Sequence, residues 1–420
     1  MLTMVEKKAL TKEIQDRYKK ATKKVKSKIL DEFCATTGYN RVYAARILRL
    51  SVGKVTGYQI AGGKKIKYVI GRRKKKKPNR ARIYTYDVFL ALRSIWVIFD
   101  FICGKRLAPF MVEAVKKLEK HKEIDLKDDV REKLARISAS TIDRLLKPEK
   151  DKAGLGKGRS GTRPGALLKK QIPVRTFSDW DDAKPGFVEG DLVGHDGGNA
   201  RGDYAQSLNF TDIATCWDKS AAAKNKAQKH VFAVIRIVSA RFLFGIAGID
   251  SDNGSEFINA HMLAWCLKNK ITFTRSRANR KNDSCFVEQK NYSVVRRAVG
   301  YLRYDTEEEL CLLNELYFYL GRYSNFFIPV TKLVSKTRVG SRVTKKYDKA
   351  RTPFRRVLES EHIDDKIKGS LKRDYDNLNP AELKRNITGL QEKLLRLNAL
   401  KKKVEREIAI NEGAYGYIKG

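Results

Sequence analysis

Asp191, Asp252 and Glu288 are the residues of this chain best suited to chemistry, and 35 residues lie between the last two. A site built from carboxylates alone offers hard oxygen ligands, which suit Mg²⁺ or Mn²⁺ over softer metals. Around these acids the chain has the opposite character: 88 Lys and Arg stand against 48 Asp and Glu, a net charge of +40. Solubility needs far less charge than this. An acidic centre repels a polyanion and a basic frame attracts one, so the combination points to metal-dependent chemistry on nucleic acid.

The elements that must position these side chains can be read from local pattern. Asp191 falls inside Val188-Glu189-Gly190-Asp191-Leu192-Val193, in the middle of an expected strand over 187–195. Asp252 opens Asp252-Asn253-Gly254-Ser255-Glu256-Phe257 just after the apolar run 242–249. That run suits a buried parallel strand, which would put Asp252 at a strand's C-terminal end, where open α/β sheets place their ligands. Glu288 comes about one turn into a helix expected to be capped by Asn282 or Asp283. Asp250, two residues before Asp252, shares its strand face and is a rival ligand; Asp252 is favoured because it begins the turn motif. Taken singly, a strand aspartate is more often a turn or salt-bridge residue. Further strands are expected over 204–211, 215–221 and 271–274, with helices over 227–240 and 259–268. Three consecutive strands followed by alternating helix and strand predict a mixed five-stranded sheet covered by helices.

Three motifs occur in order: Glu189-Gly190-Asp191-Leu192-Val193, then Ile249-Asp250-Ser251-Asp252-Asn253-Gly254-Ser255-Glu256-Phe257, then Lys281-Asn282-Asp283 leading into Val287-Glu288-Gln289-Lys290-Asn291. Over roughly residues 185–325 this pattern resembles the catalytic core of the retroviral-integrase superfamily, most closely the transposases of bacterial insertion sequences. The resemblance implies an RNase H-like fold and a catalytic, metal-binding triad of Asp191, Asp252 and Glu288, with Asp252 at the family spacing from Glu288. Retroviral integrases also have an N-terminal zinc-binding His/Cys domain. This chain lacks such a constellation: its six cysteines lie far apart with no CxxC pair, and its five histidines are scattered.

The remaining segments read as a multidomain chain. Residues 1–66 are expected to hold a DNA-binding helix-turn-helix, with apolar residues at helical spacing on both sides of Thr37-Gly38-Tyr39-Asn40 and Arg41, Arg46 and Arg49 on or beside the second helix, where they would face a DNA groove. A plain helical hairpin fits the same pattern. The run 71–80 carries seven basic residues in ten, including Arg72 and Arg73, and reads as a phosphate-contacting arm or a solvated linker. A second helical DNA-binding module is expected over 67–147, with helical regions at 86–120 and 126–146; Ser138 to Leu146 reads as a short capped helix in the recognition position of another helix-turn-helix, with a purely structural three-helix bundle as the alternative. Residues 148–180 form a basic linker whose Arg163-Pro164-Gly165 suits a narrow minor groove. The core occupies 181–325 and a basic C-terminal module 326–370, with a small strand-based unit over 332–356. A helical segment, 371–420, ends the chain; its apolar seam from Leu383 to Ile408 packs on its own protein or on a second copy.

Within the core, Lys290, Arg296 and Arg297, together with Arg275, Arg277, Arg280 and Lys281, are expected to position phosphates; a solvated basic face is the alternative. The chemistry expected of the triad is two-metal phosphodiester cleavage. Asp191 bridges two Mg²⁺ ions about 3.5 to 4 Å apart, Asp252 and Glu288 each hold mainly one, and Mn²⁺ substitutes. The expected activity is that of a DNA transposase acting on terminal repeats and target DNA, working as a homo-oligomer on double-stranded DNA. A catalytically silent repressor and a nuclease of the same fold that does not join strands are the rivals. The N-terminus lacks the apolar run of a signal peptide and no stretch approaches about 20 uninterrupted apolar residues. A cytoplasmic, nucleoid-associated protein with free thiols and no membrane partner is expected.

Overall fold

The computed structural model describes residues 2–49, 55–61, 64–69, 83–152, 184–251, 254, 256–257, 259–275, 290–339 and 342–416. It contains two compact units, Met1–Ala81 and Arg82–Gly420.

In the first unit, α1 (Met4–Lys20) begins with a capping box, in which Thr3 and Glu6 exchange side-chain and backbone hydrogen bonds. Helix α2 (Lys23–Thr37) stops at Gly38, whose φ of 70° is a left-handed value that glycine adopts without strain. Helix α3 (Arg41–Arg49) starts at Asn40, which accepts from Val42 N through its side chain at 2.9 Å and from Ala44 N through its carbonyl. Tyr18, Ile29, Phe33, Ala44 and Leu48 bury their side chains between the three helices. An antiparallel hairpin follows, β1 (Val55–Ala61) with β2 (Lys64–Val69).

The second unit opens with helices. The helical region expected over 86–120 is divided into separate helices, because Asp100 and Phe101 take positive φ values of 56° and 58°. The helices are α4 (Tyr86–Ile98), α5 (Gly104–Leu107) and α6 (Met111–Lys120), followed by α7 (Asp128–Ala135) and α8 (Ala139–Lys152). They share one hydrophobic core with the sheet that follows. Tyr323 Oη donates to Ile98 O and Arg106 Nε to Pro329 O across this contact.

The sheet comprises β3 (Phe187–Gly194), β4 (Gln206–Asp212), β5 (Asp218–Ala223), β6 (Gly248–Ser251) and β7 (Thr272–Arg275), in the order β5-β4-β3-β6-β7. The β3–β4 and β4–β5 pairs are antiparallel, while β3–β6 and β6–β7 are parallel. This is the mixed five-stranded sheet expected from the alternation of elements. Two strand boundaries differ by three or more residues. The strand expected over 242–249 is confined to β6: Gly245 turns the chain at φ 72°, and the Phe242 and Phe244 rings pack on each other, with Phe244 also meeting Trp217. The strand expected at 215–221 begins later, since Asp212 Oδ1 accepts from both Thr215 N and Thr215 Oγ1 and closes the β4–β5 turn, where Cys216 has φ 60°.

Helices α9 (Gln228–Ala240) and α10 (Ala260–Lys268) connect the later strands. Helix α11 is a π-helical segment, Asn291–Arg296, that runs into the α-helical turn Arg297–Val299. Helix α12 (Glu307–Phe327) packs on β5, where Asn325 Oδ1 accepts from Asp218 N at 2.9 Å. After a hairpin of β8 (Leu333–Val339) and β9 (Arg342–Tyr347) come α13 (Pro353–Glu359), α14 (Asp365–Asn377) and the long α15 (Pro380–Gly416). Leu383, Ile387, Leu390 and Leu394 of α15 are buried, and Asn398 and Lys401 bind Glu309 of α12. This part of the apolar seam therefore packs on its own chain. No helix among the described residues is long and apolar enough to cross a membrane.

Candidate active site at the centre of the mixed sheet

Asp191 lies on the central strand, between an antiparallel neighbour and a parallel one. It pairs with Asn209 of β4. On the other side the β3–β6 ladder runs Glu189 to Asp250 and Gly190 to Ser251, ending one residue before Asp191. The glycine beside it is required by close approach, because a Cβ on Gly190 would meet the Phe210 ring at 2.5 Å. Asp191 itself is half-buried.

Its carboxylate is held by a chain of amides. Asn291 Nδ2 donates to Asp191 Oδ2 at 2.6 Å. Asn209 Nδ2 donates to Asn291 Oδ1 at 3.2 Å, and Ser220 Oγ donates to Asn209 Oδ1 at 3.2 Å. Each member fixes the next, so the Asp191 carboxylate is oriented from β5 through β4 and α11. Asn291 is three residues beyond Glu288 in the sequence.

One step deeper lies a second polar row. Asp218 pairs in register with Thr211, Thr211 with Glu189, Glu189 with Asp250 and Asp250 with Thr274. Glu189, Asp218 and Asp250 are each 1% exposed or less. Thr274 Oγ1 donates to Asp250 Oδ1 at 2.6 Å. Lys290 Nζ forms a salt bridge with Asp218, and Ser324 Oγ donates to the same carboxylate at 3.0 Å. Lys290 and Asn291 thus pin the segment just after Glu288 to β5 and to β3 respectively.

Three basic residues expected to position phosphates have partners within the chain. Lys290 does not face phosphates: it is 6% exposed and its ammonium is spent on Asp218. Arg296 donates to Gly194 O at 2.9 Å and Gly300 O at 3.3 Å and lies 4.6 Å from the Tyr301 ring centre. Arg297 binds the carbonyl and carboxylate of Asp100, at 3.2 and 3.0 Å. All three bind groups of their own chain, because the helix that carries them packs on the sheet and on the helical layer.

Arg275 ends β7 and is half-buried. In the first unit Arg41 pairs with Asp31 and Ser27, while Arg46 and Arg49 are exposed on α3. Asp252, Glu288, Arg72, Arg73, Arg163, Arg277, Arg280 and Lys281 lie outside the described residues. Among the described residues no group of three or more His, Cys, Asp or Glu is placed to hold a metal. Asp191 nevertheless offers a hard cation suitable oxygen ligands, as a half-buried carboxylate that accepts from the Leu192 backbone amide and the Asn291 side-chain amide.

Sequence reasoning missed Asn291 and Asn209. The signal for Asn291 was its three-residue offset from Glu288; Asn209 gave none, since the strand pairing that brings it to Asp191 is a tertiary fact.

No family model matches the chain. The Sinorhizobium fredii (strain NBRC 101917 / NGR234) protein y4rM, an uncharacterized protein, is 37% identical over 359 residues, covering 84% of this chain and 96% of that protein. Similar solved structures include the catalytic core domain of BIV integrase, 17% identical with a TM-score of 0.29, over 42% of this chain and 96% of that one. Another is the HTLV-2 integrase catalytic core domain in complex with magnesium (dimeric form), 14% identical with a TM-score of 0.25, over 35% of this chain and 90% of that one.

Proposed function

This chain belongs to the family of the uncharacterized Sinorhizobium fredii protein y4rM, and we propose that it is a transposase of an insertion sequence that cleaves element ends and joins them to target DNA. The observation that carries this reading is the oriented carboxylate of Asp191 at the centre of a mixed sheet, on the strand beside β6, whose last residue is bonded covalently to Asp252. The three carboxylates Asp191, Asp252 and Glu288 would hold two Mg²⁺ or Mn²⁺ ions. When bound, such ions activate the attacking oxygen, stabilise the leaving oxygen and neutralise charge on the phosphoryl group between them.

The chain's own residues do the rest. Asn291 keeps the Asp191 carboxylate turned to one orientation, and the Lys290–Asp218 pair fixes the helix segment that follows Glu288. In the first step, a water oxygen bonds to phosphorus and the P–O3′ bond at the element end breaks, leaving a free 3′-hydroxyl. In the second, that hydroxyl oxygen bonds to a target phosphorus and the target's own 3′ oxygen leaves. One site serves both steps because only the nucleophile changes. Arg46 and Arg49 on α3 contact the terminal repeat, as the second helix of a helix-turn-helix does in the major groove. The charge of +40 supplies the sequence-independent attraction.

The test is strand transfer with the full chain, Mg²⁺ and labelled DNA from the element ends. Joined product is expected. Cleavage without joining would make the protein a nuclease, and DNA binding without either reaction would make it a repressor.

A further inference from the structure

Helix α4 has two unlike faces. Val88, Leu92, Ile95 and Trp96 are buried in the core that the helices share with the sheet. The other face meets solvent, and its positions recur in steps of three and four, the spacing of one helix stripe. Such a stripe is normally polar. Here Tyr86, Leu90 and Val97, with Ile83 just ahead of the helix, are 72, 42, 41 and 69% exposed. In a chain with 32% charged residues, α4 has only Asp87 and Arg93, one of each sign, and both lie on this face.

The order of these residues is self-complementary about Leu90. Asp87 comes three positions before it and Arg93 three after, while Ile83 comes seven before and Val97 seven after. Two copies of α4 packed antiparallel about a two-fold axis at Leu90 would set Asp87 of each level with Arg93 of the other, and Ile83 level with Val97. Leucine would meet leucine at the axis. Parallel packing would instead bring Asp87 to Asp87 and Arg93 to Arg93. Arg93 is already held in place: its Nε binds Glu149 Oε2 of α8 at 3.0 Å, yet 52% of its side chain stays exposed. A charged group fixed in advance loses little freedom on binding.

We propose that the exposed face of α4 is a self-association surface, through which two copies of this chain pair antiparallel without DNA. The charge of the molecule favours this occupant. Two chains at +40 repel each other wherever basic surfaces meet, so a second copy is admitted where the surface is locally neutral and apolar. A polyanion has the opposite preference and gains nothing from this stripe. A helix of 13 residues is about 20 Å long, so the contact is small and the pairing depends on concentration.

Neither the surface nor its test depends on the reaction proposed above. Sedimentation velocity of the full chain, free of DNA, reads the pairing from about 1 to 100 μM. The mass should rise from one copy to two across this range. Leu90→Glu sets two carboxylates against each other at the axis, and Asp87→Arg sets an arginine level with Arg93 of the second copy. Each should weaken pairing at least about 100-fold, since like charges brought together at an interface oppose it strongly. Thermal unfolding of Leu90→Glu at low concentration should match the wild type, because residue 90 is exposed in the single chain. Added salt screens the repulsion between the two chains and should strengthen the wild-type dimer. A wild type that stays monomeric overturns the proposal, as does a dimer that persists in Leu90→Glu. A dimer lost in Leu90→Glu but kept in Asp87→Arg overturns the antiparallel register. One that dissolves as salt rises is bridged by nucleic acid, which also overturns it.

Discussion

Replacing Lys290 by Met separates the two roles this residue could have. In the structure its ammonium is buried against Asp218, which is itself buried at 0% residue exposure and also accepts from Ser324. Methionine keeps the length and apolar stem of lysine but removes the ammonium bonded to the Asp218 carboxylate. Breaking a buried pair from one side costs about 3 to 5 kcal/mol, because the surviving charge is neither solvated nor compensated. The hydroxyl of Ser324 and the remaining packing put the expected loss toward the lower end, about 3 kcal/mol. Urea unfolding of the full chain reads this as a lower midpoint at unchanged slope. The double variant Asp218→Asn/Lys290→Met removes both charges and should recover most of the loss. Had Lys290 been a surface phosphate contact, Lys290→Met would leave stability within about 0.5 kcal/mol and weaken DNA binding instead. That result would refute the burial argument and the corrected role together.

Asn291→Ala removes a charge-assisted hydrogen bond worth about 1.5 to 3 kcal/mol from Asp191; DNA cleavage should slow roughly 10- to 150-fold while duplex affinity holds. Gly190→Ala forces the buried Phe210 ring away from β3 and should destabilise the chain by about 1 to 3 kcal/mol in thermal or urea unfolding. Burial, with a smaller push from Arg296, holds the imidazole of His195 down to about 3. The unfolded chain takes up that proton below about pH 6.5 and the folded chain does not, so stability should fall as pH drops from 6.5 toward 3. Replacing His195 by Gln should flatten this limb of the stability-versus-pH curve.

Much of the sheet was legible because its causes are local. Three strands in succession followed by alternating helix and strand leave few mixed topologies, and the Gly38 turn between α2 and α3 is a glycine in a left-handed conformation between two amphipathic runs. What could not be read depends on distant partners. Lys290 looks like any basic residue on an amphipathic helix; its partner Asp218 is 72 residues earlier and meets it only when α11 docks on β5. Arg297 likewise finds Asp100 at a separation of 197 residues. The apolar run 242–249 satisfies the pattern of a buried strand, yet Phe242 and Phe244 reach the core as aromatic neighbours within a turn. The helices over 86–152 gave a periodic signal suited to a separate bundle. Their union with the sheet through Tyr323 and Arg106 involves contacts more than two hundred residues apart.

The number of divalent ions held by the three acids tests the proposed site most directly. Counting Mn²⁺ bound to the full chain on element-end DNA, by electron paramagnetic resonance titration, should give two ions for the wild type. Asp191→Asn should lose both, and Asp250→Asn should keep both. Two ions retained by Asp191→Asn, or lost by Asp250→Asn, would contradict the assignment of the site.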